Sequence, residues 1–134
     1  MRRLLHTSLA LSAAGLISLT LTTSAHADGQ DVTIYTSNRA GVATFKPYGE
    51  HLLVNDLVGD GWSAVARLEV QGYGTYYYWD RQGAQYPALD IDLDFPEGHT
   101  VTLTAFLGKW AGTPDGGIDW SSYDHLLDSV HTTT

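Results

Sequence analysis

The stretch ALDIDLDF, residues 88–95, alternates apolar and acidic side chains without a break. Leu89, Ile91, Leu93 and Phe95 fall on one side of an extended chain, and Asp90, Asp92 and Asp94 fall on the other. A helix would scatter both sets around its axis, so the pattern suits a strand with one buried face and one wet face. The same period of two recurs in DVTIYT, SAVARLEVQ and TVTLTAFL. VATF, with Val42 and Phe45 apolar, and EHLLVNDL read as further strands, and TYYYWD follows the turn at Gly72-Tyr73-Gly74. Turn signals, among them Gly59-Asp60-Gly61 and Pro96-Glu97-Gly98, separate the runs. Seven or eight short strands at this spacing predict an all-β fold, an antiparallel β-sandwich of immunoglobulin-like type, with a closed β-barrel as the alternative.

The first 27 residues follow a different rule. Arg2 and Arg3 give a positive start, Leu9 to Leu21 form an apolar run, and Ala25-His26-Ala27 has the small-x-small pattern of a signal-peptidase site. The apolar run is shorter than the roughly 20 residues a membrane helix needs. These features predict a Sec signal peptide cleaved after Ala27 and a secreted, extracellular protein with no membrane anchor. Residues 28–134 then form a single domain of 107 residues. The chain has no cysteine, so this domain must be held by burial and backbone pairing rather than by disulfides.

Charge narrows the partners. Residues 28–134 hold 5 Lys and Arg against 15 Asp and Glu, a formal charge of −10. Such a surface repels phosphate backbones and anionic lipid, which excludes nucleic-acid and membrane-surface roles.

The segment ATFKPYGEHLLVNDLVGDGWSAVARLEV carries a recognisable pattern in Ala43, Thr44, Phe45, Tyr48, Gly49, Glu50, Leu52, Val54, Asp56, Asp60, Gly61, Ser63, Ala64 and Val65. It resembles a group of small secreted actinobacterial proteins with an A-T-F-x-x-Y-G-E-x-L-x-V-x-D pattern followed by D-G-x-S-A-V. The resemblance implies a secreted protein of actinobacterial origin. It covers about a quarter of residues 28–134 and carries no catalytic or binding residue across, because the function of that group is uncharacterised. Many of its members place a cysteine just before the aspartate of the V-x-D step, where this chain has Asn55.

Catalytic constellations do not assemble from the sequence. On one strand face Asp90, Asp92 and Asp94 stand roughly 6.5–7 Å apart. That is too wide for all three to share one calcium ion, and Phe95 occupies the position where an EF-hand loop needs glycine. The ladder reads instead as a solvated, self-repelling face. His51, His99, His125 and His131 form no zinc motif, and Ser63 in GWSAV has Val65 where a nucleophile elbow requires glycine. The expectation is a non-enzymatic protein with no cofactor and no metal.

Aromatic residues carry what remains. In TYYYWD, Tyr76 and Tyr78 share one strand face and Tyr77 and Trp79 the other. Because tyrosine tolerates exposure better, Trp79 and Tyr77 are expected inward, with Tyr76 and Tyr78 toward solvent. Trp110 and Trp120 flank the long loop GKWAGTPDGGIDWS, and Tyr123 follows it. Loops at the end of a sandwich commonly carry function. Trp110, Trp120, Tyr123, Tyr76 and Tyr78 are therefore the candidate ligand-binding residues, with Asp115, Asp119 and Asp124 as nearby hydrogen-bonding groups. The expected role is extracellular binding with the partner unknown. A carbohydrate-binding module acting on polysaccharide and an acidic protein-recognition domain, such as a hydrolase inhibitor, are the two specific versions.

Overall fold

The computed structural model describes residues 29–112, residues 117–124 (side chains only as far as Ser121) and residues 129–134. The expected signal segment lies outside these residues. Nine strands and no helix occur among them. β1 (Val32–Tyr35), β2 (Gly41–Lys46), β3 (His51–Asp56) and β6 (Leu89–Asp92) form one antiparallel sheet in the order β1-β2-β3-β6. β5 (Gly74–Trp79), β4 (Trp62–Val70), β7 (Thr100–Trp110) and β8 (Ile118–Asp124) form the second in the order β5-β4-β7-β8, and β9 (Val130–Thr133) also pairs with β7.

The two sheets make the expected sandwich, with no closed barrel. The strand order inside it is its own. Here β2 pairs β3, whereas the immunoglobulin order joins the second strand to the fifth. The chain changes sheet between β3 and β4, between β5 and β6, and again between β6 and β7. Two strands follow β7 and pair along it, β8 with Leu107 to Trp110 and β9 with Thr100 to Leu103. The threonine-rich end, low in complexity, supplies β9, and Thr134 is itself buried.

Register explains which residues are inside. Phe45 stands opposite Leu52, and Leu52 opposite Ile91, so one row of apolar side chains crosses the first sheet. Ala66 stands opposite Ala105, and Leu68 opposite Leu103, giving the matching rows of the second. Ile34, Ala43, Phe45, Leu52 and Val54 pack on Ala64, Ala66, Leu68, Val70, Val101, Leu103 and Ala105. Parity splits VATF differently from the sequence expectation. Ala43 and Phe45 enter the core, while Val42, one residue away, points outward and is only partly buried.

The aromatic run is also oriented against expectation. Tyr76 and Tyr78 pack on the main core, and Tyr77 and Trp79 face outward. The reason lies in the neighbours. Tyr78 is paired with Ala66, and Tyr76 with Leu68, so β4 offers the inner face small or flexible side chains beside each ring. β5 is an edge strand, so a tyrosine ring can cover the margin of the core while its hydroxyl reaches out of it. Tyr76 Oη donates to the carbonyl of Tyr73 at 2.9 Å, and its ring meets Phe95 at 5.4 Å between centroids. Burial, then the neighbouring Tyr76, raises the Tyr78 pKa.

Strand parity can be tested on two adjacent leucines in β3. Leu52 is fully buried, and Leu53 is only half-buried on the opposite face. Leu52→Ala is expected to lower unfolding free energy by about 2–5 kcal/mol, and Leu53→Ala by less than half as much, in urea titrations.

Candidate functional site

A second apolar cluster forms on the outer face of the larger sheet. Val65, Phe106 and Ile118 are buried there, with Trp79 packed against them. These residues sit on four successive strands, β4, β7, β8 and β5. Strands β5 and β8 are three steps apart in the sheet, on the order of 14 Å along a flat surface. Yet Trp120 of β8 meets Trp79 of β5 at 5.9 Å between rings. The β7–β8 hairpin therefore arches back over the sheet face.

Two glycines and a bulge permit the arch. The β7–β8 register shifts between Gly108 and Lys109, and such bulges bend a strand and strengthen its twist. At Gly108 a Cβ would run into Ile118 Cγ2 and come within 3.1 Å of Val65 Cγ2. Gly117 adopts φ +60°, and a Cβ there would stand 3.0 Å from the Trp79 ring. Hence the described ends of the segment from residue 108 to 122, expected as a long loop, belong to two paired strands, β7 up to Trp110 and β8 from Ile118, with Gly117 against Trp79.

The result is an aromatic patch that the sequence does not put together. Trp120 is 46% exposed and Tyr77 is 45% exposed. Their rings meet at 5.3 Å with planes 68° apart, and Trp120 stands at 83° to Trp79. Arg81 places its guanidinium 5.8 Å from the Trp79 ring centre, a cation–π arrangement. Among the five candidate residues, Trp120 joins this patch. Trp110, 47% exposed, pairs with Ile118 one strand over. Tyr76 and Tyr78 pack against the main core and are not part of the patch, although Tyr78 also borders the groove between β5 and β6. Tyr123 is in β8 opposite Gly108, but its side chain lies outside the described residues, as do Asp115, His125 and the Asp124 side chain. Asp119 accepts hydrogen bonds from the backbone and hydroxyl of Ser121, at 3.0 and 2.6 Å.

Beside the patch is an open cleft of about 720 Å³, lined by Trp62, Ser63, Asp80, Gln82, Gln85 and Trp110 among others, with Arg81 on its wall. A groove of about 530 Å³ runs between β5 and β6, lined by Tyr77, the candidate Tyr78, Trp79, Arg81, Asp90 and Asp92 among others. Arg81 belongs to both.

The carboxylates at the cleft floor are structural ties. Asp80 is buried; its Oδ2 accepts from the Asp56 amide at 2.9 Å, and its Oδ1 accepts from the amides of Gln82 (2.9 Å) and Gly83 (3.3 Å). It thus clamps the end of β3 to the end of β5 and shapes the loop carrying Arg81. Asp56, 5% exposed, accepts from Val58. Burial raises its pKa to about 6, opposed by that hydrogen bond and reinforced by Asp60 and Asp80. Glu50 has a similar part. It sits in the left-handed region at φ 53°, its carboxylate accepts from the Phe95 amide at 2.7 Å, and its carbonyl accepts from Leu93 at 3.0 Å. Its pKa is raised, first by burial. The motif residues Glu50, Asp56 and Asp60 thereby read as frame.

The aspartate ladder is shorter than the sequence pattern: β6 ends at Asp92, and Asp94 lies beyond it. Asp90 pairs with His51 at 2.8 Å on the outer face. β6 is a sheet edge, where exposed charge discourages pairing with another chain. His131 contacts the Thr102 hydroxyl at 2.9 Å, and His99 meets the Tyr73 ring. Among the described residues no three His, Asp or Glu side chains gather closely enough to hold a metal ion. In comparisons with known proteins, no family model, curated protein or solved structure matches the chain.

Asp56 has a pH signature. It binds its proton more tightly folded, near pH 6, than unfolded, near 3.8, so its contribution to stability is largest at acid pH and is lost as pH rises from about 4 to about 6. Asp56→Asn is expected to flatten that decline and to be the more stable protein at pH 8, by on the order of 1–3 kcal/mol in denaturant titrations. A second test concerns the arch. Gly108→Ala is expected to cost about 1–3 kcal/mol and to change the near-ultraviolet circular dichroism of the tryptophans.

Proposed function

We propose that this chain is a secreted, non-enzymatic β-sandwich that binds extracellular glycans through the outer face of its larger sheet. The observation that carries this reading is the contact of Trp120 with both Tyr77 and Trp79, Trp120 and Tyr77 being nearly half exposed, beside a cleft and a groove that meet at Arg81. Solvent-exposed indole and phenol rings stack on the apolar faces of sugar rings, while neighbouring amides, carboxylates and guanidinium groups hydrogen-bond the hydroxyls. The formal charge of −10 on residues 28–134 favours neutral glycans over uronate or phosphate polymers. The sequence supports export through its signal-like start, and the resemblance to small secreted actinobacterial proteins points the same way.

The test is retention of the exported protein on a panel of neutral polysaccharides, soluble and insoluble, with a Tyr77→Ala/Trp120→Ala variant checked for folding. The parent should bind at least one polymer, with little change between low and high salt, and the variant should bind at least about tenfold more weakly, a loss of about 1.4 kcal/mol. Binding that collapses in salt would instead favour docking onto a basic protein surface. Absence of retention on every polymer would sink the glycan reading.

A further inference from the structure

Resting on the glycan-binding reading, we infer that the ligand is a single neutral polysaccharide chain, laid across Arg81 from the cleft by Trp110 to the groove between β5 and β6, and not the face of a crystalline polymer. Binding a crystalline surface calls for several aromatic rings in one plane. Here Trp120 stands at 68° to Tyr77 and 83° to Trp79, so no flat array of the three can form. Rings set at such angles form steps and walls, which suit a chain that can twist and present each sugar separately.

The cavities supply the track. The cleft and the groove have volumes of about 720 and 530 Å³, in the range of sites that enclose small ligands, and each is open to solvent. They share Arg81, whose guanidinium lies over Trp79. A chain leaving the cleft past Trp110 therefore meets Arg81 and Trp79 before entering the groove. Polar side chains line both stretches: Gln82 and Gln85 in the cleft, Asp90 and Asp92 in the groove. All four are exposed, and the amides can both donate to and accept from hydroxyls. The aspartates accept hydroxyl protons but repel an anionic polymer, which again selects a neutral one.

Arg81 is the residue on which the two halves of the track depend. It is exposed, and among the described residues its side chain makes no hydrogen bond or ion pair, so its removal should leave the fold intact.

Affinity electrophoresis in gels containing soluble neutral chains (hydroxyethyl cellulose, galactomannan, laminarin, soluble starch) tests this beside pull-down on microcrystalline cellulose and crystalline chitin. The full chain, exported and purified, is expected to be retarded by at least one soluble polymer and not retained by the crystalline ones. Arg81→Ala should lose at least tenfold in affinity for the soluble chain. Gln82→Ala/Gln85→Ala should weaken it several-fold, with unchanged circular dichroism in each case. Retention on the crystalline polymers equal to that on soluble chains would overturn the single-chain inference while leaving glycan binding in place. So would soluble-chain binding in which both Arg81→Ala and Gln82→Ala/Gln85→Ala match the parent. Absence of binding to every polymer in either form would overturn the glycan reading and this inference together.

Discussion

The burial of one face of each sheet against the other is the constraint from which the rest of this structure follows. With no cysteine in the chain, disulfide bracing is absent, and the interior has to be closed by burial and backbone pairing. Its axis is the pairing of β4 with β7, continuous from Trp62 opposite Lys109 to Val70 opposite Val101. These two strands are the central ones of the larger sheet, and Ala64, Ala66, Leu68, Val101, Leu103 and Ala105 all project from them into the core. The alanines keep that surface low, which lets Phe45 and Leu52 of the smaller sheet be fully enclosed. Dense contact of this kind is what long-range strand pairing requires, since the entropy of closing the loops must be offset by burial.

A sheet with one face committed to the core has its other face to spend elsewhere. In the smaller sheet that face is mixed, with Thr33 bonded to Thr44 and His51 to Asp90 beside the partly buried Val42 and Leu53. In the larger sheet it is apolar in the middle, and the chain covers it with its own β7–β8 hairpin. The cover is incomplete. Val65, Phe106 and Ile118 disappear beneath it, while Tyr77 and Trp120 remain at its border. The same arch that stabilises the outer face thus creates an aromatic surface near the cleft and the groove that share Arg81. Buried carboxylates fix the loops around it: Asp80 binds the Gln82 and Gly83 amides at the base of the Arg81 loop. The cost is borne in protonation, since desolvation raises the pKa values of Asp56 and Glu50.

The legibility of the sequence was uneven, for physical reasons. ALDIDLDF, SAVARLEVQ and TVTLTAFL were readable because alternation is a local property that needs no knowledge of neighbours. The orientation of TYYYWD was not, because both faces of that strand are aromatic and parity alone does not choose between them. Cross-strand partners chose: Ala66 and Leu68 inward beside Tyr78 and Tyr76, Val65 and Arg67 outward beside Trp79 and Tyr77. Trp120 was legible as a candidate from its place in a glycine-rich segment. Tyr77, Trp79 and Arg81 were missed as its companions. The only signal for them in the sequence was the aromatic run itself and a charged residue two positions after its tryptophan. Gly108 and Gly117 read as ordinary loop glycines, although their missing side chains are what admit Ile118 and Trp79.

By itself the sequence determined the strands, their buried and wet faces in the alternating segments, and the reliance on burial in place of disulfides. Each of these follows from residue type and a two-residue period, which the chain carries wherever it goes. It also determined an acidic balance that no folding can alter. The tertiary structure decided the strand order, the pairing of both β8 and β9 along β7, and which pair of the aromatic run meets solvent. It alone brought Trp120 onto Tyr77 and Trp79, residues more than forty positions apart in the chain. That meeting depends on a bulge, two absent side chains and the twist of a four-strand path, and such quantities exist only once the strands have paired.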